Sequence, residues 1–148
     1  MKTKIVIGLL TVAAVLAWTG IVGAQTAPPA PRVQLPSGET VWDLNGDWDA
    51  LVENYGPYER FGTHPNVYRI TQTGTTLNAI RLKDNPPPST GRAGSPSLKG
   101  ELEKNGFKHI YLIDSGGNSL ISKGQISEDG KKIIIDEGRV ARVTLTRP

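Results

Sequence analysis

The residues able to do chemistry are few. Two histidines are present, His64 just ahead of Pro65 and His109 in an alternating run, and there is no cysteine. A transition-metal site usually draws on about three or four His, Cys or carboxylate ligands. Two distant histidines without a thiolate therefore argue against a metal, and no cofactor is expected. Asp47 and Asp49 stand two apart, with Glu53 beyond them. Paired carboxylates can do acid–base work, but this spacing puts them on one face of a strand, where a solvated acidic edge accounts for them. Asp129-Gly130 and Asp136-Glu137-Gly138 lack the spacing of a calcium loop and suit turns. Ser115-Gly116-Gly117 is likewise a turn, with no strand-to-helix elbow to make its serine a nucleophile. No glycine-rich phosphate loop leads into a helix. With no nucleophile–base pair or metal cluster in view, an enzyme ranks last among the function classes.

The richer cluster is aromatic. Tyr55, Tyr58 and Phe61 stand close together, mixed with Glu59, Arg60 and His64. Tyrosines beside arginine are typical of recognition surfaces. The same rings would equally serve to fold back and cap an open end of the protein. Both roles fit a lid over a small pocket. His109 shares an alternating face with Phe107 and Tyr111, which makes it either a satisfied interior polar group or a pocket residue. The candidate ligand-binding set is Tyr55, Tyr58, Phe61, His64, Tyr68, His109 and Tyr111, with Ile70 as a further interior residue.

These residues must be held by strands. The 148-residue chain is long enough for one domain. No window keeps a helical apolar stripe. After Val41, short runs of β-branched and aromatic residues alternate with Gly, Asn or Asp turns. Eight runs are expected, at about 46–54, 66–73, 76–83, 97–104, 107–114, 119–127, 131–136 and 139–147. On the first, Trp48, Ala50 and Val52 face one way and the acidic side chains the other. Short connections imply consecutive antiparallel pairing. The expected fold is all-β, an eight-stranded up-and-down barrel, because closure removes exposed edges; an open two-sheet sandwich is the alternative. The connections 55–65 and 85–96 are long, and in such a meander both leave from one end. Function tends to lie on long loops held by a rigid scaffold.

Residues 1–24 read as an export signal. Lys2 and Lys4 precede an apolar core from Ile5 to Leu16, and Val22-Gly23-Ala24 offers small residues for cleavage. An uncleaved anchor is the alternative, since Ile5 to Ala24 approaches a membrane-spanning length. Residues 25–40, with Pro28, Pro29, Pro31 and Pro36, read as an extended linker, followed by a barrel domain over 41–148. Cleavage would remove two of seventeen basic residues, leaving fifteen against fourteen acids and a formal charge of +1. No basic run suggests nucleic acid. The expected location is the periplasm or the extracellular space, and membrane contact is expected only through an uncleaved signal segment.

Gly46-Asp47-Trp48 resembles the Gly-x-Trp that opens the first strand of the calycins, the group that includes lipocalins and avidins. An arginine near the end of the last strand, Arg142 or Arg147, resembles the basic residue that closes over that tryptophan. The segment Tyr68 to Gly74 looks like the second strand and turn of small exported calycin-like bacterial proteins. The Thr-Asp-Tyr motif of lipocalins is missing, and no biotin-binding set can be placed. The resemblance implies barrel closure by Gly46, Trp48 and Arg142 or Arg147. It also implies non-covalent binding of a small, partly apolar molecule at the barrel mouth. The alternative is a filled barrel acting as a protein-interaction or envelope-structural module for another exported protein.

Overall fold

The computed structural model describes residues 28–148; the signal-segment expectation for residues 1–24 lies outside them. A short hairpin comes first, β1 (Arg32–Gln34) with β2 (Thr40–Trp42). Eight further strands follow: β3 (Gly46–Asn54), β4 (Thr63–Thr73), β5 (Thr76–Arg81), β6 (Pro96–Glu103), β7 (Gly106–Ile113), β8 (Ser119–Ile126), β9 (Lys132–Asp136) and β10 (Ala141–Thr146). They pair antiparallel in chain order and close through β10 on β3, with Val143 opposite Val52 and Leu145 opposite Ala50. The fold is therefore a closed eight-stranded antiparallel barrel rather than an open sandwich. At this coarse level it fits the calycin-like expectation.

Period-two alternation builds the inner wall. On β3 it carries Trp48, Ala50 and Val52 inward, and on β10 Ala141, Val143 and Leu145. Turn glycines reverse the chain where a side chain would be strained: Gly74 has φ 60° between β4 and β5. The interior of an eight-stranded barrel is just wide enough for side chains to fill. Here one half is filled and the other is not. The filled half stacks Trp48, Leu77, Leu98, Leu102, Ile133 and Ile135, all buried. Room for the large groups comes from glycines: a Cβ on Gly124 would run into the Phe107 ring, and one on Gly100 into Ile110. Towards the other end the inward residues include Val52, Ser97, Ala141 and Val143, which are too small to meet in the middle.

Trp48 seals the filled end. It is fully buried, and its indole Nε1 donates to the Leu44 carbonyl at 2.9 Å. The Arg147 guanidinium lies 4.7 Å from the ring centroid and donates to the carbonyls of Asp43 and Asn45. Arg142 does not share this role. It falls on the opposite parity from Val143 and Leu145, points outward and pairs with Asp136 at 2.7 Å. The linker expected over 25–40 is also corrected in its described part. Pro36, Ser37 and Gly38 (φ 86°) let the chain reverse into the β1–β2 hairpin. Ala30 N–H donates to the Asp129 carbonyl at 2.7 Å, and Ala30 and Trp42 pack on Gly130. The segment is thus docked as a second cover below Trp48.

Candidate functional site

At the unfilled end the barrel encloses a cavity of about 240 Å³. Both long connections border it. The first is shorter than expected, because β4 begins at Thr63. What remains holds a two-turn 3-10 helix, Gly56–Phe61. It places Tyr58 and Phe61 over the opening, their rings 5.6 Å apart in an edge-on arrangement. The Tyr58 hydroxyl reaches across to donate to Asp114 Oδ2 at 2.9 Å, latching this lid to the β7–β8 turn. The bond to the carboxylate raises the Tyr58 pKa. Partial burial alone would raise the Asp114 pKa, but hydrogen bonds from Asn118, Tyr58 and the Gly116 N–H outweigh it and hold the carboxyl below its usual range.

The early start of β4 also decides the place of His64. Alternation puts His64, Asn66, Tyr68 and Ile70 on the inner face. His64 is 5% exposed, lines the cavity, and neither ring nitrogen has a hydrogen-bond partner. Desolvation depresses its pKa; Asn85 and the Phe61 backbone pull the other way, but neither makes a bond of good geometry to the ring. Tyr68 lies deeper on the same wall, and burial raises its pKa while the neighbouring Arg81 and Ser97 oppose the rise. Ile70 is buried further down and is not among the cavity residues.

Three expected site residues lie elsewhere. His109 and Tyr111 are on the outer face, stacked edge-on with ring centroids 5.6 Å apart, near Glu101 and Lys99. The cause is a bulge. Glu101 pairs with His109 but Leu102 with Phe107, so Lys108 is an extra residue on β7. One extra residue exchanges the faces of everything beyond it. Phe107 stays against the core, while Ile110 and Leu112 take the inner positions that His109 and Tyr111 would otherwise have held. Tyr55 precedes the 3-10 helix in an extended conformation and turns the other way. Its hydroxyl contacts Asp136 Oδ1 at 2.5 Å and the Ala141 carbonyl at 3.1 Å, outside the cavity. His64 and His109 thus share no site.

The structure adds a residue the pattern reading passed over. Leu77, Ala79 and Arg81 form the inner face of β5, and Ile80 faces outward. Arg81 is 3% exposed. Its Nε donates to Ser97 Oγ at 3.0 Å, and Nη2 to the Pro96 carbonyl at 3.1 Å and more weakly to that of Ile113 at 3.4 Å. The connection after β5 folds over it. Asn66 Nδ2 donates to the Lys83 carbonyl at 3.1 Å and to Asn85 Oδ1 at 3.0 Å, and Asn85 Nδ2 donates to Ser89 Oγ at 3.1 Å. Gly91 must be small here, because a Cβ would collide with Arg81 Nη1 and with Asn85. Continuing the period of two from Leu77 would have placed Arg81 inside.

The site is a walled chamber: apolar on one side through Val52, Leu112, Leu120 and Val143, with Tyr68, His64 and Arg81 among its polar groups. Such a chamber can hold and orient a molecule. No protein-family model, no curated protein and no solved structure matches the chain.

Proposed function

We propose that this is an exported, calycin-like barrel, akin in plan to lipocalins and avidins, that binds one small, partly apolar molecule non-covalently at its open end. The observation that carries this reading is the half-empty barrel: a cavity of about 240 Å³ beneath two ordered loops, lined by Tyr58, Phe61, His64 and Tyr68. Ligand sites combine apolar walls with a few placed polar groups, and this chamber has both. Its size suits a single-ring compound. An apolar protein cavity of about 150 Å³ accepts benzene, whereas drug-sized ligands occupy roughly 300–1,000 Å³.

A filled barrel that serves only to bind another exported protein fits this chamber less well. Native mass spectrometry of the protein purified from its own host separates the two. A co-purifying small molecule is expected. Protein that is free of small ligand and carries a bound polypeptide would contradict the reading. Export rests on residues 1–24, and N-terminal sequencing is expected to begin after Ala24; a start at Met1 would contradict cleavage.

A further inference from the structure

We infer that the chamber selects a small organic monoanion, a carboxylate on one ring or on a compact branched chain. The carboxylate sits against Arg81, and the apolar body lies against Val52, Leu112 and Val143. The inference rests on the ligand-binding role proposed above and narrows it.

The argument begins with an uncompensated charge. A buried cation is expensive unless it is paired. Arg81 is 3% exposed, yet all three of its hydrogen-bond partners are neutral: Ser97 Oγ and the carbonyls of Pro96 and Ile113. Among the described residues it joins no ion pair and lies over no aromatic ring. Residues 1–27 contain no Asp or Glu that could supply the missing charge. Nη1 makes no hydrogen bond among the described residues, although it packs closely on Gly91, and Arg81 lines the cavity.

Arg81 is not alone. His64 is 5% exposed, and both of its ring nitrogens are orphaned. The buried Tyr68 lies beside them on the same wall, with Ser97 and Arg81 as neighbours. A guanidinium, an imidazole and a phenol thus line one chamber. A buried polar group without a partner asks for an explanation, and one carboxylate would answer both the orphaned His64 and the uncompensated charge of Arg81. Guanidinium presents a planar fork matched to a carboxylate. The lining contains one acid, Asp114, whose oxygens already accept from the Tyr58 hydroxyl, the N–H groups of Gly116 and Asn118 and the Asn118 amide. The volume sets the rest: about 240 Å³ leaves room for one ring beyond the carboxylate and none for a long chain.

Isothermal titration of the full chain with benzoate, its neutral isostere benzamide and inorganic phosphate tests the inference. Benzoate is expected to bind at least about tenfold tighter than benzamide and tighter than phosphate. Arg81→Met is expected to abolish the difference between benzoate and benzamide. If that variant does not fold, the comparison on the unmodified chain decides alone. Equal binding of benzamide would overturn the anion preference and leave the ligand site standing. Phosphate binding as tightly as benzoate would overturn it too, because the apolar wall would then add nothing. Failure of a panel of charged and neutral single-ring compounds to bind would overturn the preference and the ligand site together.

Discussion

The two ends of this barrel use the same kind of residue in opposite ways. Each has a ring and an inward arginine. At the sealed end Arg147 lies on the Trp48 face and donates to the carbonyls of Asp43 and Asn45, while Gln72 ties Leu44 N–H and the Trp42 carbonyl together at 2.8 and 3.0 Å. The β1–β2 hairpin then covers the plug, with Arg32 3.8 Å from the Trp42 ring centroid. There the polar side chains are turned towards backbone, with Arg147 Nε the exception. At the open end the backbone is held by Asn66, Asn85 and the Tyr58–Asp114 latch; His64 faces the cavity without a partner, and Arg81 faces it with neutral partners only. A side chain that satisfies backbone stabilises the wall it belongs to. One left without a partner inside a chamber is a cost to the fold that a ligand can relieve.

The largest expected effect lies at the sealed end. Trp48→Ala should lose about 3–5 kcal/mol and leave little folded protein, as read by circular dichroism and thermal melting; an unchanged melting temperature would remove Trp48 as the anchor. Arg147→Ala should lose about 0.5–2 kcal/mol, the range of a cation on a ring, whereas Arg142→Ala should change denaturant midpoints little, since its partner Asp136 lies on the outer surface with it. Equal effects of the two would undo the assignment of the closing arginine.

Changes at the open end should affect stability less and binding more. Tyr58→Phe removes one hydrogen bond, about 0.5–1.5 kcal/mol, and should speed ligand release by opening the lid; stopped-flow dissociation reads this directly. The smallest expected effect is on pH. The folded pKa of His64 is depressed from 6.5 by burial. The unfolded chain therefore binds the proton more readily, and stability should begin to fall as pH drops through about 6.5. The depressed carboxyls of Asp114 and Asp136 act in the opposite range. Their contributions are complete above their unfolded values and are lost only as pH falls through the lower folded ones. Denaturant melts of His64→Gln should lack the upper decline and keep the lower one.

Much of the wall was legible because the signals were local. Alternation and turn chemistry sufficed for eight strands, for Trp48 inside and for two long connections at one end. Tyr68 inside followed from the same alternation, whereas His64, expected in the long connection, lies on β4 because that strand begins at Thr63. What escaped was the bulge at Lys108, which no local residue announces and which moved His109 and Tyr111 outside. Tyr55 escaped because the sense of a 3-10 turn decides on which side of the wall a ring falls. Arg81 was legible but contrary to habit: its strand period pointed inward while its charge suggested solvent. The hairpin over 32–42 was obscured by the prolines just before it, although Pro36, Ser37 and Gly38 mark a turn between two valines.

An NMR titration of the full chain with benzoate and with benzyl alcohol tests the contrast between the ends most directly. Backbone amides of Val52, His64, Tyr68 and Val143 should shift with at least one of the two, while the indole N–H signals of Trp42 and Trp48 stay where they are. Movement of the indole signals, or shifts confined to the outer face around His109 and Tyr111, would contradict a barrel sealed below and receptive above.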